Sequence, residues 1–176
     1  MNRRYYTQEY SEKCKLLRKF YDNPAITTDI IVGFPGETEE EFFTTKQYLE
    51  QIHFFEMHIF KYSRRSGTKA AVMPDQVSEQ SKTERSNQLL QLERKMSAEY
   101  RTGWIGQTAE VLLEELTTIN GICGWIGHTK EYVKVMVRFK DSDSRTEDRT
   151  GQIVQVKLVK GITEDILLGV DGMEFI

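Results

Sequence analysis

The spacing of apolar residues changes once along this chain, near Gly103. Before that point hydrophobic positions recur at helical intervals around two short β-rich runs; after it they alternate with polar ones. Thr7 is placed to cap a helix running to about Tyr21, with Tyr10, Cys14, Leu17 and Phe20 or Tyr21 on its buried side, and Asn23-Pro24 ends it. Ile30, Ile31 and Val32 are too few for a helix and are stopped by Gly33, Pro35 and Gly36, which predicts a short buried strand and a tight turn. Thr38 and Glu41 have capping-box spacing, and the helix they open, Glu39 to Ile52, sets Phe42, Phe43, Leu49 and Ile52 near one face. His53 to Tyr62 reads as a second strand, with Met57, Ile59 and Phe55 alternating with Glu56, His58 and Phe60. A long helix from about Ser78 to Thr102 carries Leu89, Leu92, Met96 and Tyr100 as one stripe and connects the two halves.

From Gly103 onward four strand-like runs follow: Thr108 to Glu115, Gly121 to Gly127, Glu131 to Phe139 and Gly151 to Lys160, with short apolar pieces at Ile166 to Leu168 and Met173 to Ile176. Asp141 to Thr150 is polar and charged, a mobile loop by composition. Several short strands in so few residues suggest a small antiparallel barrel of the OB-like kind, whose outer face commonly binds oligonucleotides. The expected fold class is therefore α/β plus all-β.

Composition narrows the picture. The chain has 176 residues, of which 39% are hydrophobic, enough for one good-sized core or two small ones. No apolar stretch approaches the length of a membrane span, and MNRRYYTQEY lacks the apolar region of a signal peptide, so cytoplasm is the default location. The two cysteines, Cys14 and Cys123, have no paired spacing; Cys14 fits a small core residue. Residues 1–102 carry 16 Lys+Arg against 15 Asp+Glu, and residues 103–176 carry 8 against 12, for a net charge of -3. Neither half coats nucleic acid by bulk charge, so any RNA contact must be local.

Candidate chemistry gathers at the strand ends. A turn following a parallel strand lies where α/β folds bind ligands, and glycine there lets a ligand approach the backbone. The helix start beyond it offers N–H groups, and Glu37 would be the one charged side chain facing the mouth. No Gly-Lys-Ser/Thr follows and an acidic side chain there would repel phosphate, which argues against a phosphate-gripping P-loop; a tight turn that binds nothing is the plain alternative. Ser63 to Met73, with Lys61, Arg64, Arg65 and Lys69, would open at the same rim and could grip a carboxylate or phosphate, or serve only as solvated surface. His53 and His58, five apart in a strand, face opposite ways and cannot share a metal. In the barrel, Trp125, His128, Tyr132 and Lys130 or Lys134 are stacking and phosphate-contact candidates, the alternative being that Trp125 fills the core and the lysines are merely hydrated.

TTDIIVGFPGETEEEF, HIFKYSRRSGTKAAVMPDQV, and the passage from Tyr100 into GQTAEVLLEE and GHTKEYVKVMV together resemble the carboxyl-terminal half of the radical-SAM tRNA methylthiotransferases. The wording of the second motif is most similar to the branch acting on threonylcarbamoyladenosine beside the anticodon. The resemblance covers essentially the whole chain. It implies that residues 1–101 are the carboxyl-terminal part of a radical-SAM partial (β/α) barrel and residues 102–176 a TRAM domain that grips tRNA.

The resemblance also implies S-adenosylmethionine and two 4Fe-4S clusters as cofactors, an external electron donor, and methylthiolation of an adenine carbon. Matched to the family's strand-end turn, Gly33, Phe34, Pro35, Gly36 and Glu37 would form the cofactor wall. Arg3 or Arg4 would reach the methionyl carboxylate, and Ser63, Arg65, Gly67 and Thr68 would line the same mouth. Trp125, Lys130, Tyr132 and Lys134 would place the tRNA. Lys61 and Lys69 stand where many relatives have proline, which bears on the stiffness of that loop. The family's CxxxCxxC motif and its additional cysteine triplet have no counterpart here, so the chain is expected to be a fragment, inactive by itself. Two other classes stay open: an RNA-binding module on a non-catalytic α/β scaffold, and a standalone α/β enzyme, for which no Ser-His-Asp or Cys-His arrangement is visible.

Overall fold

The computed structural model describes residues 4–139 and 148–171. The chain divides into two compact units, residues 1–97 and 98–176. The division falls inside the long third helix.

In the first unit, helix α1 (Thr7–Phe20) precedes strand β1 (Thr27–Val32), helix α2 (Glu39–Ile52) and strand β2 (Glu56–Lys61). A 3-10 turn at Lys69–Val72 leads to helix α3 (Glu79–Thr102). β1 and β2 pair in parallel, with Thr27 opposite Glu56 and Val32 opposite Lys61. Parallel pairing makes both strands end on the same side. The pleat turns Ile30, Val32, Met57 and Ile59 to the helices, where they join Phe42, Leu49, Ile52, Phe54, Leu89, Leu92 and Met96 in one core. The opposite face, carrying Asp29 beside His58 and Ile31 beside Phe60, is uncovered: Ile31 is 38% and Phe60 54% exposed.

Several local expectations need correction. Thr7 is the first helical residue of α1 rather than its cap; Tyr6 occupies that place, its N–H donating to Glu9 Oε2 at 3.1 Å. Cys14 is buried and Tyr10 packs on the core, but Leu17, Phe20 and Tyr21 are exposed, because α1 covers the core with only one narrow edge. Phe43 is likewise exposed, one residue off the stripe led by Phe42. His53 is not in a strand: it caps α2 in the left-handed conformation (φ 60°).

The second unit contains the end of α3 and five strands, β3 (Thr108–Ile119), β4 (Ile122–Thr129), β5 (Lys134–Arg138), β6 (Ile153–Gly161) and β7 (Ile166–Asp171). They close into a barrel in the order β3-β4-β5-β7-β6. The expected small barrel is therefore present, but it is not wholly antiparallel, since β5 and β7 run parallel. Val111, Leu113, Trp125, Val133, Val135, Val137, Val156, Leu158 and Leu167 fill its interior. β3 runs past its expected end at Glu115, because a bulge between Leu113 and Glu115 shifts the alternation before pairing resumes to Ile119. Arg101, at the end of α3, is buried and donates to the Glu164 carbonyl (3.0 Å) and Asp165 Oδ1 (3.2 Å), tying the helix to the β6–β7 turn. The apolar piece at Met173–Ile176 and most of the loop from Asp141 lie outside the described residues. Among the described residues no helix is long and apolar enough to cross a membrane.

Candidate functional site

The first site begins at the carboxyl ends of β1 and β2. Tyr62 N–H donates to the Val32 carbonyl (2.8 Å), which carries the pairing one step beyond β2 and brings the Gly33 turn and the Ser63 loop to one rim. Phe34 stands edge-on to Tyr62, ring centroids 5.3 Å apart. Gly33 adopts φ 70°, and a Cβ there would fall 2.3 Å from Cγ of Lys82, so both backbone and packing demand glycine.

The turn uses its own donors. Gly33 N–H donates to Glu37 Oε2 (2.6 Å), Gly36 N–H to the Asp75 carbonyl (2.9 Å) and Glu37 N–H to the Phe34 carbonyl (2.9 Å). Thr38 Oγ1 accepts from Glu41 N–H at 3.1 Å, while Glu41 Oε2 accepts from Thr38 N–H at 2.9 Å, the predicted capping box. The helix start is therefore not a row of open N–H groups. Nor does Glu37 face the mouth: it folds back beneath the turn and accepts from Arg85 Nη1 at 2.6 Å.

Arg85 and Lys82, which no motif at the turn announces, come from α3. Both are only 4% exposed. Arg85 bridges Glu37 and Glu39, and Nη1 also reaches the Glu37 carbonyl at 3.1 Å. Burial pulls the Arg85 pKa down, but hydrogen bonds to Glu39 and Glu37 more than offset it, so the pKa rises above the ordinary guanidinium value. Lys82 lies under Gly33 with its ammonium 2.7 Å from Glu79 Oε1 and 5.4 Å from the Tyr62 ring centre. The hydrogen bond to Lys82 holds the Glu79 carboxyl below its usual range. A signal for both existed: Lys82 and Arg85 continue the three-and-four spacing of Leu89, Leu92 and Met96 toward the start of α3, at positions that otherwise point inward.

The loop beyond β2 is exposed at Ser63, Arg65, Gly67 and Thr68. Thr68 Oγ1 donates to the Arg65 carbonyl (2.8 Å) and accepts from Ala71 N–H (3.3 Å), and Arg64 Nε donates to the Ala71 carbonyl (2.7 Å). Arg64 is thus turned into its own loop. Arg4 is exposed, and its neighbour Tyr5 lines a cavity of about 280 Å³ over Thr28–Ile30, the middle of β1 rather than its end. Arg3 lies outside the described residues.

On the barrel the candidates separate. Trp125 is 4% exposed and belongs to the interior, so it cannot stack on a nucleotide; the inward register of Trp125 against Val137 decides this. Tyr132 is 76% exposed and held at φ 64° by the turn after β4. Buried Thr129 builds that turn: its Oγ1 accepts from Glu131 N–H (3.2 Å) and Val133 N–H (3.3 Å), while its carbonyl accepts from Tyr132 N–H (3.0 Å). Thr129→Val removes the acceptor for two amides, and a loss of about 2 kcal/mol is expected, read as a lower urea midpoint of tryptophan fluorescence. His128 lies 5.9 Å from the Tyr132 ring and its Nδ1 is 3.0 Å from both Glu114 carboxylate oxygens. Lys130 is exposed and Lys134 half-buried, opposite His128.

Metal ligation finds no support in these side chains. Among the described residues no group of three His, Cys, Asp or Glu could hold an ion. Cys14 is buried, and burial pushes its thiol pKa up despite the charge of Arg18. A thiol disfavoured as thiolate is a poor cluster ligand, so the residues present do not fit an iron–sulfur cluster.

No family model matches the chain. Individual relatives do. It is 39% identical over 163 residues to the threonylcarbamoyladenosine tRNA methylthiotransferase MtaB of Bacillus subtilis, covering 91% of this chain and 34% of that protein. It is 42% identical over 120 residues to a tRNA-2-methylthio-N(6)-dimethylallyladenosine synthase of Acetivibrio thermocellus, and 36% identical over 167 residues to that of a Thermoanaerobacter strain. These matches cover 68% and 89% of this chain, and 25% and 35% of the two relatives. The chain thus spans about a quarter to a third of the length of the curated relatives it matches. With turn, loop and barrel motifs in one order and identities of this size along most of its length, the chain belongs to the radical-SAM tRNA methylthiotransferase family.

Proposed function

We propose that this chain is the cofactor-wall and RNA-gripping portion of a tRNA methylthiotransferase, acting on threonylcarbamoyladenosine next to the anticodon. Residues 1–101 are the end of a radical-SAM partial barrel, and residues 102–176 a TRAM domain. The observation that carries the reading is the parallel β1–β2 pair, whose ends bring Gly33–Glu37 and the Ser63 loop to one rim beside an uncovered sheet face with Ile31 and Phe60 exposed. A lone two-stranded sheet with such a face is what part of a larger barrel looks like.

S-adenosylmethionine, when bound, supplies the radical that activates the adenine carbon. Phe34 and Tyr62 offer it an aromatic edge, Gly36 leaves open space at the backbone, and Arg65, on the exposed loop at that rim, is the cation for its carboxylate. Glu37 serves this wall from below, as the brace of the turn. The clusters and their electron donor belong to other segments of such an enzyme. Titrating S-adenosylmethionine into the isotope-labelled chain is expected to shift the amide signals of Gly33, Phe34, Gly36 and Glu37 and of Arg65–Thr68; an unchanged spectrum at millimolar ligand ends the cofactor-wall reading.

The RNA grip is tested separately. Tyr132→Ala is expected to weaken binding of unmodified tRNA roughly tenfold, in line with about 1–3 kcal/mol per stacked base. Lys130→Ala should lower the salt slope of the affinity by about one. Equal affinities in all three proteins would remove the barrel from tRNA binding. A second reading, an RNA-binding module on a non-catalytic scaffold, is favoured by the internally satisfied donors of the glycine turn. It predicts tRNA binding without any S-adenosylmethionine shift.

A further inference from the structure

The outer face of the barrel holds a shallow cavity of about 250 Å³ beside the RNA-contact candidates Lys130 and Tyr132. Besides Thr129 and Lys130, its lining includes Glu110, Leu112, Glu114, His128, Tyr132 and Ile153. The register explains why these side chains converge. Leu112 pairs with Ile153 on one side and with His128 on the other, so three adjacent strands turn consecutive side chains outward in one row. Glu110 and Glu114 lie two residues to either side of Leu112 and share its face. Exposed Ile153 (67%), Leu112 (43%) and Tyr132 (76%) give an apolar and aromatic lining that a monomeric surface has no internal reason to keep wet.

Charge is unevenly arranged around this lining. Carboxylates sit inside: Glu114 is engaged by His128 on both oxygens, and Glu110 is exposed beyond it. The cation Lys130 also lines it, its side chain 81% exposed and its ammonium 3.7 Å from Glu131 Oε1. A phosphate inside would meet two carboxylates, so an RNA strand enters base first and leaves its backbone outside near Lys130.

The geometry points to a guanine-selective base pocket, an inference that rests on the RNA-gripping reading and adds the identity of the base. Tyr132 is the stacking platform and Leu112 with Ile153 the opposite wall. Glu110 is the specificity-determining residue. A carboxylate accepts two adjacent donors at once, and among the four bases only guanine presents two, N1–H and the N2 amino group, side by side on its Watson–Crick edge. Adenine and cytosine set an acceptor beside their amino group, and uracil flanks its single N–H with two carbonyl oxygens that the carboxylate repels.

The test uses the whole chain and fluorescently labelled single-stranded RNA, either a uridine tract or the same tract with one central guanosine, read by anisotropy. A preference of at least about fivefold for the guanosine strand is expected, the lower end for a two-donor contact. In Glu110→Gln, whose amide cannot accept both donors, the ratio should fall to near one while affinity for the uridine tract is kept or rises. Glu110→Asp, which keeps the carboxylate but withdraws it, should fall between. Glu110 is exposed, and unchanged tryptophan fluorescence melts establish that the variants fold. A ratio near one in the unaltered chain overturns guanine selection but leaves the RNA grip standing; so does a ratio that survives Glu110→Gln. Displacement of the RNA by argininamide as readily as by guanosine monophosphate marks a cation cage and also overturns the proposal. Absence of binding to either strand overturns both it and the RNA-gripping reading.

Discussion

Replacing Arg85 by methionine is expected to destabilise the first unit by about 3 kcal/mol, the lower end for removing one partner of a buried ion pair. Arg85 is 4% exposed and the Glu37 side chain 16%, so loss of the guanidinium leaves a largely dehydrated carboxylate with, among the described residues, the Gly33 amide as its remaining partner. The double variant Arg85→Met with Glu37→Gln should recover most of the loss, because it removes the stranded charge. Two probes keep the units apart. Among the described residues α1, α2 and all of α3 up to residue 97 lie in the first unit, so far-UV circular dichroism follows mainly that unit, whereas both tryptophans, Trp104 and Trp125, lie in the second. The melting temperature read at 222 nm should drop by at least about 10 °C while the tryptophan transition stays put. Equal losses in the single and double variants would show that the ion pair is not what holds the turn.

The second large effect is expected in the barrel. A Cβ on Gly127 would fall 2.0 Å from the Leu112 carbonyl oxygen and 2.8 Å from its carbonyl carbon, both backbone atoms that cannot rotate away. Gly127 lies opposite Leu113, where the β3 bulge begins, so relief requires β3 and β4 to part. Gly127→Ala should therefore cost about 3 kcal/mol or more, the upper end for overpacking, seen as an early tryptophan transition with the helical signal intact. Gly121→Ala is the control. That residue adopts φ 76° but has nothing within 4 Å, so it should lose only the backbone term, about 1–2 kcal/mol. Similar midpoints for the two variants would mean that close approach of the strands is not what demands glycine at 127.

Much of this was legible in the residues. Runs with clear periods gave their elements: the β-branched run ending at Val32, the Thr38–Glu41 capping box and the alternating strands of the barrel all appear where their chemistry predicts. The failures have physical causes. The alternation of β3 breaks off at Glu115 because the bulge changes its phase, although Asn120-Gly121 marks the two-residue turn that closes the β3–β4 hairpin. Trp125 resembled a stacking residue because composition does not reveal which way a strand residue points; its pairing with Val137 turns it inward. Glu37 looks like a mouth residue in the sequence because its partner is 48 residues away. No local pattern around residue 37 could reveal Arg85, and only the cations in the inward stripe of α3 carried that information. The parallel β5–β7 pair was hidden for a similar reason, as alternation sets a strand's faces but not its neighbours.

That pair bears on synthesis. β7 seals the gap between β5 and β6, pairing Lys134 with Ile166 and Leu158 with Gly169. A nascent polypeptide leaving the ribosome as far as Gly161 carries two raw sheet borders, on β5 and β6, exposed until β7 arrives. Premature termination inside Ile166–Asp171 should thus yield sticky, insoluble product rather than a smaller working domain.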